Sequence, residues 1–214
     1  YDSDAHHNLA RQIASQCMVL MKNDNNALPV KKDAKIALIG EMSRTPRYQG
    51  AGSSLINPIK LDSAYDTLKE MGADFTFAAG YTLKGKNKKA NEMVAEAVNN
   101  AKNADVALVF VGLTDDYETE GNDRSHINLP PIHNTLVEEV LKVNPNTIVV
   151  LSGGASVTMP WADKVPAILN MFLTGQAGGS AVCDIIFGDV NPSGKLAETY
   201  PIALEDNSSY NFFP

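Results

Sequence analysis

The chain has 214 residues, of which 44% are hydrophobic and 20% charged, and a formal net charge of -7; that is room for one large core in an ordinary globular composition. The acidic balance argues against sequence-independent nucleic-acid binding, which needs a basic footprint, and against an anionic membrane surface; no apolar run reaches the length of a membrane span. Two cysteines, Cys17 and Cys183, make neither a disulfide framework nor a zinc pattern, and are read as buried free thiols in helices.

Residues 1–12 are polar and carry no signal-peptide pattern. The first residue is not Met, so the compartment stays open between cytoplasmic and secreted. Helical spacing of Leu9, Ile13, Cys17, Leu20 and Met21 predicts a helix over 5–22, with Asp4 as N-cap and the apolar residues inward. Residues 35–39 (KIALI) read as a first strand ended by Gly40. Arg47 to Ser54 (RYQGAGSS) has no periodicity. It is either a flexible connection or a loop whose glycines let the backbone approach a ligand or a neighbouring domain. A helix over 61–71 and a strand over 74–78 follow, then a run with Lys84, Lys86, Lys88 and Lys89, read as a solvated loop. The chain continues with a helix over 88–102.

Val106 to Val111 is an unbroken apolar run, as expected of a strand buried on both faces of a parallel sheet. Beyond it, Asp115, Asp116, Glu118, Glu120 and Asp123 place five acids within nine residues, closed by Arg124. Pro130 and Pro131 introduce a helix over 132–143. Strands over 147–151 and 166–172 flank a Ser152-Gly153-Gly154 loop, and GQAGG (175–179) opens a last helix over 180–187. Strand and helix alternate at least five times, which means βαβ crossovers. The expected fold is α/β, a three-layer αβα sandwich with a mainly parallel sheet of five or six strands. We divide the chain into a helical lead-in and linker (1–30), the sandwich (31–200) and an exit linker (201–214).

Two chemistries fail on spacing. A dinucleotide fingerprint needs its glycines directly between strand and helix. Gly50 and Gly52 lie ten residues and more past the strand, and GQAGG is explained by tight strand-to-helix packing. A serine-hydrolase elbow needs Gly-x-Ser-x-Gly, which Ser152-Gly153-Gly154 does not match. His6, His7, His126 and His133 have no metal-ligand spacing and are assigned surface or capping roles. The acidic loop remains. It is either a solvated surface or a catalytic element, because it lies at a strand's carboxyl end, where ligands of open α/β sheets bind. A carboxyl acting as general acid there needs burial and neighbouring negative charge to keep its proton. Of Glu118 and Glu120, two apart on this loop, only one is expected to reach a given ligand.

In order along the chain, ASQCMVLMKNDNNALPV, KIALIG, GAGSS, ADVALVFVG…ETEGNDR…LP, GGASVTMPW and FLTGQAGGSAVCDIIFGDVNPSGKLAETYP resemble the α/β sandwich domain of glycoside hydrolase family 3, the β-glucosidase family. Met21 replaces a common Leu, and His133 a usual Gln. The resemblance implies a divided active site. A (β/α)8 barrel of the same parent protein, which 214 residues cannot also contain, carries the aspartate nucleophile. The sandwich supplies the acid/base glutamate. Glu120, directly before the glycine of Glu-Gly-x-Asp-Arg, matches that role, with Glu118 as second choice. Asp123 and Arg124 match as a charge pair shaping the loop. Arg47, Gly52 and Ser53 are candidates for substrate binding or loop shaping. The implied reaction is retaining hydrolysis of a terminal β-linked sugar of a glucoside or oligosaccharide, with no cofactor and no metal. The alternative is a non-catalytic carbohydrate-binding or scaffolding module. The isolated chain is expected to be inactive, and its bared face could make it a homo-oligomer.

Overall fold

A computed structural model describes residues 2–53, 55–85 and 88–212; Ser54 of the Gly/Ser loop and Lys86 of the lysine run lie outside them. In chain order the elements are α1 (Ser3–Cys17), β1 (Val19–Asn23), β2 (Ile36–Ile39), α2 (Ala64–Glu70), β3 (Phe75–Ala78), α3 (Ala90–Lys102), β4 (Val106–Gly112), α4 (Pro131–Leu141), β5 (Thr147–Ser152), β6 (Ala167–Asn170) and α5 (Gly178–Ile186). The sheet runs β1-β6-β5-β4-β2-β3. All pairs are parallel except β1 with β6. Helices α3 and α4 pack together on one face, and α1, α2 and α5 on the other. This is the expected three-layer sandwich, with six strands.

Every residue of β2, β4, β5 and β6 is buried, which is why these strands read as unbroken apolar runs rather than alternating ones. Helix α4 begins at Pro131, whose missing N–H costs nothing at a first helical position, and turns Leu136, Val137 and Val140 into the core.

The lead-in differs from the expectation. The helix stops at Cys17, and 19–23 form a strand antiparallel to β6. Apolar residues at 17, 20 and 21 fit either element. The need to cover the otherwise unpaired edge of β6 decides it. Asp2, not Asp4, caps α1, accepting from the N–H of Ala5 at 3.0 Å. The helix is also turned the other way. Leu9 and Ile13 are each 53% exposed, while His7, Ala14 and Ser15 face inward. Polar ties hold that face down: His7 Nε2 lies 2.9 Å from Asp62 Oδ2, Ser180 Oγ donates to the same oxygen at 2.6 Å, and Arg11 grips Asp184. Cys17 is consequently exposed; Cys183 is buried, and burial pushes its thiol up to about 12.

Helix α2 starts at 64 rather than 61, because Ser63 is its N-cap, accepting from the N–H of Asp66 at 3.0 Å. GQAGG is a packing device. A Cβ at Gly179 would fall 2.4 Å from the carbonyl carbon of Ser63, so a side chain there would push α5 off the start of α2.

Candidate functional site

From β2 the chain moves to one side, to β3, and then returns to the other side of β2, to β4. The loops leaving the carboxyl ends of β2 and β4 therefore diverge. The crevice between them is a topological switch point, where α/β folds bind ligands. Loop 40–53 enters it from β2, the acidic loop from β4, and Ser152 to Gly154 from β5.

Arg47 anchors the first loop. It is 8% exposed and donates from Nη1 to the carbonyl of Leu113 at 3.0 Å and to Glu118 Oε2, and from Nη2 to the Glu118 carbonyl at 2.7 Å. Asp115 Oδ1 lies 3.5 Å from Arg47 Nε. The N–H of Gly154 donates to Glu118 Oε2 at 3.0 Å. Glu118 is thus turned inward, bound by an arginine from the β2 loop and a backbone donor from the β5 loop. It ties three loops together.

Glu120 is held apart from Glu118: a plain extended strand would put residues two apart on one face, but here the backbone turns at 115–117, bends at Glu118 and turns again at Glu120. It is exposed. Ser53 donates to its Oε2 twice, from the backbone N–H at 2.9 Å and from Oγ at 2.5 Å. The N–H of Glu120 donates to the carbonyl of Ala51 at 3.3 Å, and Ala51 and Thr119 form a parallel bridge. Gly52 makes this approach possible. Its φ is +116°, in the left-handed region that favours glycine, and a Cβ there would lie 2.6 Å from Glu120 Cβ and 2.8 Å from Oε2. Both Ser53 donors favour the charged form and hold the Glu120 carboxyl below the usual carboxylate range. This corrects the expectation that neighbouring acids raise it. The carboxyl is solvated, and the nearest strong influences are hydrogen-bond donors rather than charges.

No ion pair joins Asp123 to Arg124 among the described residues, so the expected charge pair is absent. Arg124 Nη1 is buried there without a hydrogen-bond partner. Asp116, Tyr117, Asn122, Asp123, Arg124 and His126 line a cavity of about 250 Å³. Glu120 is not among the residues lining that cavity, and its carboxylate is presented on an exposed surface. Lys84, Lys88 and Lys89 are exposed, in keeping with a solvated loop. No cluster of His, Cys, Asp and Glu able to hold a metal occurs among the described residues, and among them no helix is long and apolar enough to cross a membrane.

Sequence reasoning missed the brace beneath the site. Tyr81 is fully buried and donates from its hydroxyl to the carbonyl of Phe110 at 2.7 Å, while the N–H of Met42 donates to it at 3.2 Å. The ring of His133 lies 3.9 Å from that of Tyr81, and the N–H of Gly112 donates to His133 Nδ1 at 3.2 Å. Burial pulls His133 down to about 3, so the ring is neutral. Neither His133 nor His7, each 4% exposed or less, has the surface or capping role expected from sequence: His133 accepts from a strand N–H and His7 pairs with Asp62 and Gln176. The signal for His133 was its place on the apolar face of α4, three residues before Leu136.

Taken together, these features define an α/β domain, a mainly parallel three-layer sandwich with an exposed, serine-held carboxylate at its switch point. The chain belongs to the family described as the glycosyl hydrolase family 3 C-terminal domain, whose model matches residues 18–213. It is 50% identical to thermostable beta-glucosidase B of Acetivibrio thermocellus, over 100% of this chain and 29% of that protein. It is 45% identical to an exo-alpha-(1->6)-L-arabinopyranosidase of Bifidobacterium breve, over 100% of this chain and 30% of that one. A crystal structure of a Bifidobacterium adolescentis GH3 beta-glucosidase superposes with a TM-score of 0.94 at 48% identity, covering 100% of this chain and 32% of that one. The chain thus spans less than a third of the length of these relatives.

Proposed function

We propose that this domain supplies the general acid/base of a retaining β-glycosidase, with Glu120 as that group and a (β/α)8 barrel of the same parent protein supplying the nucleophile and most of the sugar pocket. The observation that carries the reading is the division of labour between the two glutamates. Glu118 is consumed by Arg47 and Gly154, whereas Glu120 is exposed at the switch point with one face held by Ser53. In the first step the nucleophilic carboxylate attacks the anomeric carbon, the glycosidic bond breaks, and the Glu120 proton passes to the leaving oxygen. In the second, Glu120 takes a proton from water as the water oxygen displaces the nucleophile. Such carboxyls stand about 5–5.5 Å apart. A docked barrel would bring both desolvation and a second negative charge to Glu120, the two influences that raise a carboxyl and that this chain by itself does not provide. Relatives named for a β-glucosidase and for an arabinopyranosidase share the domain at similar identity, which suits a sandwich that serves the chemistry while the barrel selects the sugar.

The depressed carboxyl of Glu120 favours a second reading, a non-catalytic carbohydrate-binding or scaffolding module. One experiment separates them. In the complete parent enzyme, Glu120→Ala should lower turnover of substrates with poor leaving groups by about 10²–10⁴-fold. Azide should restore turnover of dinitrophenyl glycosides, with a β-glycosyl azide as product. Unchanged turnover would support the scaffold.

A further inference from the structure

We propose that Ser53 is the positioning residue of the acid/base: its hydroxyl and its backbone N–H together fix the rotamer and direction of Glu120 and so determine which oxygen of that carboxyl is free to exchange protons with substrate. The inference rests on the assignment of Glu120 above and goes beyond the substrate-binding or loop-shaping roles that the sequence suggests for Ser53.

The geometry is specific to one oxygen. Both Ser53 donors end on Oε2, and among the described residues none donates to Glu120 Oε1. Two hydrogen bonds on one oxygen orient the carboxylate and leave the proton-transferring lone pairs on the other. A flexible glutamate on an exposed loop would otherwise sample several rotamers, each a misplacement with respect to the scissile bond, and misplacement of about 1 Å is enough to cost about 10²-fold in rate. The surroundings are built for this approach. The Ala51 carbonyl accepts from the Glu120 N–H, the Ala51–Thr119 bridge sets the two loops side by side, and the absent Cβ at Gly52 vacates the space that the carboxyl fills. The hydroxyl also favours the charged form. It therefore opposes the rise that a docked barrel imposes, keeping the group able to give up its proton to the leaving oxygen in the first half of the reaction. Ser53 touches Glu120 and acts through it.

The test uses the complete parent enzyme with Ser53→Ala and Ser53→Thr, alongside Glu120→Ala with azide. For Ser53→Ala we expect an approximately 10–100-fold loss of kcat on alkyl glycosides or disaccharides and almost none of the glycosylation rate on dinitrophenyl glycosides, whose departure needs no proton. The alkaline limb of kcat/KM should move to higher pH, because one donor to the ionised carboxylate has gone. Ser53→Thr, which keeps the hydroxyl, should restore both the rate and the limb. Equal losses on both substrate classes with the limb unmoved, or no restoration by Thr, would overturn the role of Ser53 while leaving the azide result, and so the assignment of Glu120, standing. Unchanged turnover in Glu120→Ala would instead overturn that assignment, and this inference with it.

Discussion

Removing the Glu118 carboxylate would leave the Arg47 guanidinium, whose side chain is 6% exposed, with only Asp115 at 3.5 Å as a counter-charge. It would also strip the N–H of Gly154 of its acceptor. An uncompensated buried charge is far more costly than an exposed pair is valuable. Because the Glu118 side chain is itself 22% exposed, the loss falls towards the lower end of the buried-pair range, about 2–4 kcal/mol. Glu118→Ala should therefore lower the urea midpoint of this chain without changing the slope of the transition. In the complete enzyme, azide should not rescue its activity, in contrast to Glu120→Ala. The two glutamates were legible in the sequence as rivals, two apart on one loop. What separates them was not, because the arginine that captures Glu118 lies 71 residues away and the serine that holds Glu120 lies 67 away. Both partners were among the candidate residues, but nothing in the chain order says which goes with which.

At the level of elements, strands β2, β4, β5 and β6 were readable because burial on both faces leaves a continuous apolar run. Strand β1 was not, since its five residues also satisfy a helical period and only the exposed edge of β6 chooses between the two. Helix α4 was readable by period, yet one of its inward residues is a histidine. His133 carries the acid sensitivity of the element. In the unfolded chain it titrates near the ordinary imidazole value of about 6.5, whereas in the fold it is held down at about 3. Between those limits the unfolded state binds a proton that the native state does not. Stability is therefore full above about pH 6.5 and is lost as the pH falls towards 3, by at most about 5 kcal/mol from this group. His133→Gln, which keeps an acceptor for the Gly112 N–H, should flatten the melting temperature over that window. A wild-type acid limb retained in the variant would show that another group is responsible.

For the whole molecule, the distribution of exposed apolar residues follows from the position of the site. Leu55, Ile56, Ile59 and Leu61 are 61%, 70%, 82% and 38% exposed and begin two residues after Ser53 in the sequence, so the open carboxylate borders an uncovered apolar segment. Leu55 also joins Arg47, Tyr48, Leu83 and Lys84 around a depression of about 220 Å³. An apolar surface of this kind beside the proposed acid/base is what a barrel lying over Glu120 would cover. Two consequences can be measured on the isolated chain. It should hydrolyse no β-glycoside at a useful rate, because the proposed nucleophile belongs to the barrel, and full retaining turnover would refute the divided site. It should also self-associate as its concentration rises, through the bared segment, with Ile56→Ser and Ile59→Ser together shifting sedimentation back to the monomer. A sharply monomeric profile at high concentration would mean that residues 55–61 are stable in water as they stand, and that the barrel docks elsewhere on the domain.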